Sequence, residues 1–263
     1  MIPIFDTLAH PTLTGSWLRS GKDASFDTLV ASLEGAGYLG AAAVGIWGVE
    51  DYADEAFIQN CRRHRRLVPI AGFNPVHTGS IAHEMQRLRA LGYRAIKVHP
   101  RFTGLELASP TLGQIFASAA EHELLIFFCT YQHCGIEGYP SEDPFYSLVR
   151  ALKAAPKAKV VLLHGGDVQL LRYAELVRFN ANLILDLSLT IMKYAGSSLD
   201  ADLSFLFQKF DGRICIGSDH PEYSHQQLRS RFEDLASGIG RGKAEDIAFR
   251  NIAAFIGCEH LLG

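Results

Sequence analysis

Cysteine is scarce in this chain of 263 residues: five thiols, at Cys61, Cys129, Cys134, Cys215 and Cys258. An odd, scattered set argues against a disulfide framework and for reduced thiols. No apolar run of about 18 residues is present, so no membrane span is expected. The start, Met1-Ile-Pro-Ile-Phe-Asp6, lacks the basic head and long apolar run of a secretory signal. These features predict a cytoplasmic protein. Excess charge is also missing: 25 Lys+Arg against 28 Asp+Glu give a formal charge of −3. Neither nucleic acid nor an anionic membrane surface is therefore an expected partner. Glycine-rich phosphate loops are absent too, since the first candidate strand leads into Asp6-Thr-Leu-Ala-His-Pro11 and not into G-x-G-x-x-G or G-x-x-x-x-G-K.

What is present is repetition. Short apolar runs at 2–5, 39–47, 67–73, 95–98, 124–128, 160–163, 183–187 and 214–216 alternate with stretches of helical spacing such as Phe26, Leu29, Val30 and Leu33. Near-continuous apolar strands joined by crossover helices suit a parallel sheet covered on both faces. Ser109-Pro110, Ser141-Glu-Asp-Pro144 and Gly165-Gly-Asp167 punctuate the helices, and Gly92 ends the third. The basic run Arg62–Arg66 falls at a helix end just before a strand, where the macrodipole favours cations. Two further helical stretches, near 224–236 and 243–255, follow the eighth strand. No linker interrupts the series. The expected fold is an α/β (β/α)8 TIM barrel over residues 1–263, one domain with an extra C-terminal helix; without a phosphate loop, the doubly wound sheet is the weaker alternative.

Barrel chemistry gathers at the C-terminal ends of strands. Six of the 11 histidines fall at such ends: His10, His77, His99, His133, His164 and His220. Imidazole serves both as metal ligand and as general base near neutral pH. Asp219, in Ile214-Cys-Ile-Gly-Ser-Asp219-His-Pro221, adds a carboxylate that can ligate a divalent ion, take a proton from bound water, or cap the next helix. Lys97 and His99, two residues apart, share one face of the fourth strand and can bind an anionic group, with Arg101 beyond them. Trp47, Phe73, Tyr131 and Tyr139 are candidates for an aromatic lining.

These pieces together resemble the amidohydrolase superfamily, in its amidohydrolase-2-like branch of metal-dependent TIM-barrel hydrolases and decarboxylases. Phe5-Asp-Thr-Leu-Ala-His10 resembles the family's I-D-x-H-x-H, Ala95-Ile-Lys-Val-His99-Pro its G-I-K-x-H-P, Leu125–Thr130 its P-V-L-I-H-T, Val160-Val-Leu-Leu-His164-Gly-Gly its V-x-x-H-x-G, Ile216-Gly-Ser-Asp219-His-Pro its G-S-D-x-P, and Asn251–Gly257 its terminal N-A-x-x-x-x-G helix. Two departures stand out. Leu8 occupies the position of one metal-binding histidine and Cys129 that of another.

The resemblance implies a metal-dependent hydrolase of a small, anionic organic molecule. Zinc would be held by His10, Cys129, His164 and Asp219, with Asp219 and His164 handling protons on metal-activated water, and Lys97 and His99 binding substrate. With two ligand positions changed, two other readings stay open. One is a metal-free acid–base enzyme or small-molecule binding barrel; the other is a non-oxidative decarboxylase. A homo-oligomer is compatible with the sequence.

Overall fold

The computed structural model describes residues 1–263 apart from Glu50, Asp51, His77, Gln132, Cys134, Asp211 and Gly263. Eight parallel strands lie in sequence order in one sheet: β1 (Ile4–Ala9), β2 (Tyr38–Val44), β3 (Leu67–Phe73), β4 (Ala95–Val98), β5 (Leu125–Cys129), β6 (Val160–Leu163), β7 (Leu183–Asp186) and β8 (Ile214–Cys215). The sheet closes on itself, because Ala9 bridges His220 in parallel and Thr7 N–H donates to the Ile216 carbonyl at 3.1 Å. This is the (β/α)8 barrel that the strand–helix alternation predicts. Helices α1 (Phe26–Gly35), α2 (Asp54–Arg62), α3 (Ile81–Leu91), α4 (Thr111–Glu121), α5 (Pro144–Ala154), α6 (Leu170–Arg178), α7 (Leu199–Lys209) and α8 (His225–Ala236) follow the strands in turn, and helical backbone at 241–256 and a short turn of helix at Glu259–Leu262 come after them.

Local signals act where the sequence puts them. Asp143 caps α5 by accepting from Phe145 N at 3.0 Å, and Gly92 ends α3 at φ 103°, a conformation that favours glycine. The basic run after α2 is partly structural, since Arg62 donates to the Leu91 carbonyl at 2.7 Å and Arg66 to that of Tyr38 at 3.1 Å. Gly165, Gly166 and Asp167 do not cap α6: they form a left-handed turn before it, and a Cβ at Gly166 would lie 2.1 Å from the Tyr173 ring.

The first strand differs most from its sequence reading. It runs to Ala9 and not only to Phe5, and carries an extra residue: Asp6 pairs with Ala41 but Ala9 with Ala43. Such a bulge reverses the facing of the side chains beyond it. Asp6 therefore points out of the barrel, towards α8, while His10 points into the mouth.

That outward carboxylate is fully buried and fully used. Its Oδ1 accepts from Leu8 N at 3.1 Å and Ser218 N at 2.8 Å, and its Oδ2 from Ser218 Oγ at 2.5 Å, while His225 Nε2 of α8 lies 2.9 Å from Oδ2. The Ser32 hydroxyl meets the other ring nitrogen of His225 at 2.7 Å. Asp6 thus ties β1, the end of β8 and α8 together. Replacing it with alanine would strand a buried imidazole and three other donors. Asp6→Ala is expected to lower the unfolding free energy by about 3–5 kcal/mol in chemical denaturation; a loss below about 1 kcal/mol would show the network to be dispensable.

Candidate active site

Strand register decides which side chains meet. Lys97 pairs with Phe127 across β4 and β5, so Lys97, His99, Phe127 and Cys129 share the inner side, and Phe128 turns outward onto Phe116 of α4. Cys129, not Phe128, therefore takes the inward position at the end of β5. His164 enters at φ 65° and Asp219 at φ 55°, left-handed backbone that side chains with a Cβ rarely adopt and that clusters at functional sites. Both strained residues stand at strand ends.

The mouth holds a cavity of about 350 Å³ lined by His10, Lys97, His99, His164, Asp219, Arg101, Tyr131, Lys193, Trp17, Tyr223 and others. A hollow of about 390 Å³ near the N-terminal end of β7, lined by residues such as Lys153, Asn180 and Asn182, contains no histidine, cysteine or carboxylate. Chemistry, not size, marks the site.

Within it the groups divide into two sets. His10 donates from Nδ1 to the Val44 carbonyl at 2.8 Å, which turns Nε2 towards Asp219 Oδ1, 3.4 Å away. Burial would push the Asp219 carboxyl up, but the hydrogen bond from His10 and the charges of His164, His10 and Lys97 outweigh it and hold the group well below the usual carboxylate range. On the other side, Cys129 is hydrogen-bonded to both His99 and His164. Burial alone would raise its thiol; the two imidazoles overcome that and bring it well below its ordinary value. His164 responds in the opposite sense: burial lowers it, yet Cys129 and Asp219 leave it raised. His99 is pushed down, chiefly by burial.

Lys97 lies between the two sets. It is 1% exposed, its Nζ has no hydrogen-bond partner, and burial lowers its pKa against the pull of Cys129, Asp219 and Asp186. Burial without a partner disfavours the charged form of this amine, and an anion bound beside it would supply the missing counter-charge. Two more cations stand at the rim with neutral partners: Arg101 donates to the carbonyls of Tyr131 and His133 and lies 4.7 Å from the Tyr131 ring, and Lys193 donates to the Tyr131 hydroxyl at 2.6 Å.

Several expected residues take other places. His133 is at the rim, 2.6 Å from Asp167, and His220 is buried against His225 with ring centroids 5.4 Å apart. His77 lies outside the described residues. Asp219 is not the cap of α8, because Ser224 and Gln227 form a reciprocal capping box there. Of the aromatic candidates only Tyr131 lines the cavity; Trp47 and Tyr139 are exposed and Phe73 is core. Sequence reasoning missed Trp17, which stacks on His10 at 5.3 Å and donates to Glu222 at 2.6 Å, with Lys22 bonded to the same carboxylate. It also missed Asp186, which accepts from Ser188 N at 3.2 Å and from the Ser188 hydroxyl, while Ser188 Oγ lies 3.3 Å from His164 Nδ1. Burial lifts Asp186 to about 7, opposed by those hydrogen bonds and by His164.

A zinc ion in a catalytic site takes three protein ligands and keeps one position open. Among the described residues, no three His, Cys, Asp or Glu side chains are arranged so as to hold a metal ion. Leu8 supplies no donor, and His99 and His164 are hydrogen-bonded to the Cys129 sulfur. His10 Nε2 and Asp219 Oδ1 lie 3.4 Å apart, a pair and not a three-ligand set. The residues present do not fit a catalytic zinc shell.

The amidohydrolase family model matches residues 5–236. No curated protein matches the chain in sequence. Among solved structures, an uncharacterised TIM-barrel protein from Bordetella bronchiseptica is similar with a TM-score of 0.76 at 16% identity, covering 98% of this chain and 99% of its own. A protein assigned as 2-pyrone-4,6-dicarboxylic acid hydrolase from Pseudomonas putida gives 0.69 at 16% identity, covering 98% and 99%. An amidohydrolase from Burkholderia multivorans with bound zinc gives 0.66 at 13% identity, covering 97% and 99%. At such identities these likenesses show the barrel. Among the described residues no helix is long and apolar enough to cross a membrane.

Burial, with His225 and His10 adding to it and Asp6 opposing, pushes His220 down to about 4. Between its ordinary value near 6.5 and that value, the unfolded chain binds a proton that the folded chain refuses, so stability falls as pH drops through this window. Stability is expected to decline by about 3 kcal/mol from pH 6.5 to 4 on account of His220. In denaturation series across that range, His220→Gln should flatten the decline, and an unchanged slope would contradict the assignment.

Proposed function

Because the chain belongs to the amidohydrolase family, we propose that it hydrolyses an acyl bond, in an ester, lactone or amide, of a small organic anion by acid–base chemistry. The observation that carries this reading is Lys97: a buried, unpartnered amine, which a bound carboxylate would hold protonated, in the same cavity as Asp219 and His164. A substrate carboxylate on Lys97, with Arg101 and Lys193 at the rim to receive a second negative group, would lay the scissile carbonyl between Asp219 and His164. His164, with raised proton affinity, protonates the leaving group. Asp219 takes the proton of the attacking water. Its proton affinity rises when it is needed, because a carboxylate on Lys97 neutralises one of the cations that hold it low. His10, stacked by Trp17 and fixed to Val44, keeps Asp219 in place.

Dicarboxylates suit this distribution of charge, and the likeness in fold to a protein assigned as a pyrone dicarboxylate hydrolase makes carboxylated lactones a reasonable first panel. Metal-activated water, the alternative that the family resemblance implies, has weaker support from the donor geometry. Hydrolysis of carboxylated lactones and esters should survive prior chelation. Asp219→Asn should lower kcat by about 10²- to 10⁴-fold, and Lys97→Met should raise KM by about 10- to 100-fold. Activity abolished by chelation and restored by zinc would overturn the reading.

A further inference from the structure

The acid–base reading leaves one group unused: the sulfur of Cys129, on the lumen side of β5, hydrogen-bonded to two imidazoles. The Cys129 sulfur also lies 3.9 Å from the Tyr131 carbonyl, and backbone groups bias the tautomers of its two imidazole partners. Phe102 N–H donates to His99 Nδ1 at 3.4 Å, so that nitrogen carries no hydrogen and a neutral His99 presents Nε2–H to the sulfur. His164 Nδ1 lies 3.3 Å from the Ser188 carbonyl, which can only accept, so Nδ1 carries the hydrogen and Nε2 is left for Cys129. Asp186, buried and bonded to the Ser188 hydroxyl and to the amides of Ser188 and His164, anchors the far side of that imidazole. The result is a sulfur, an imidazole and a buried carboxylate connected in sequence, the carboxylate reaching the ring through Ser188. A second, independent feature points to a ligand at the same place, the unpartnered buried Nζ of Lys97, on the same strand face as His99.

We propose that Cys129 Sγ is the nucleophile of this site and that hydrolysis passes through a thioester with the acyl group of a carboxylated substrate seated on Lys97. This rests on the hydrolase reading above and changes its first step. Sulfur bonds to the carbonyl carbon, the bond from that carbon to the leaving oxygen or nitrogen breaks, and His164 gives its proton to the leaving group. Water then adds to the thioester and Asp219 takes its proton. The carbon–sulfur bond breaks, the acid departs, and the proton on Asp219 returns to His164. The sum is one acyl compound and one water giving one acid and one alcohol or amine.

The test uses reagents small enough for the cavity and needs no knowledge of the substrate. Wild-type protein is treated at pH 6.5 with iodoacetate or with iodoacetamide, and labelling is followed by peptide mass spectrometry. Cys129, though as buried as Cys61, Cys215 and Cys258, lies beside the cavity and is expected to label at least 10-fold faster than those three, and faster with iodoacetate than with iodoacetamide because Lys97 receives the carboxylate. Lys97→Met should remove the iodoacetate preference, and His164→Ala should slow Cys129 labelling. Labelling of Cys129 no faster than of the other three would overturn the proposal. Full hydrolysis by Cys129→Ser would overturn the thioester while leaving the hydrolase reading intact. A reactive Cys129 in a protein that hydrolyses none of the carboxylated lactones and esters would remove the hydrolase reading and the thioester step with it.

Discussion

The barrel and its mouth both depend on one buried carboxylate. Asp6 sits where the bulge in β1 turns its side chain outward, and from there it holds the amide and hydroxyl of Ser218 and the imidazole of His225. Isolated, a charge at this depth would be prohibitively unfavourable. Satisfied on both oxygens, it joins the first strand to the last and to the final barrel helix. Asp219 follows Ser218 directly, so the same contacts that close the barrel also set the left-handed backbone from which the site carboxylate projects. Architecture and reactive geometry meet in two adjacent residues.

Much of the fold is legible in the sequence because its causes are local or periodic. Apolar strands alternating with amphipathic helices suffice to predict a parallel barrel, and caps such as Asp143 and Gly92 act through nearby backbone. The sequence alone ends the first strand too early, because Asp6 and Thr7 look like a strand end by polarity, whereas β1 runs to Ala9. Only partners 212 and 219 positions away make a buried aspartate tolerable there. His225 is opaque for the same reason: by position it is an ordinary first-turn residue of a helix.

The site follows the same division. His10, Lys97, His99, His164 and Asp219 are found by their places at strand ends, and they share one cavity. Grouping them correctly needs distances. The expected single metal shell of His10, Cys129, His164 and Asp219 separates into a His10–Asp219 pair and a cysteine held between His99 and His164. Leu8 and Cys129, the two departures from the family pattern, together account for this. The first removes a donor; the second supplies a sulfur with which neighbouring imidazoles form hydrogen bonds. Trp17 and Asp186 carry no sequence signal, since one acts by stacking across a loop and the other through Ser188 from beneath.

The central claim is that direct contacts between side chains, not a shared metal ion, organise this mouth. Anomalous scattering at the zinc edge from crystals grown with the metal measures this directly. The account predicts no peak bound by three protein side chains at the mouth, with the Cys129 sulfur remaining between His99 and His164. A strong peak within about 2.0–2.4 Å of His10, Asp219 and a third side chain would contradict it.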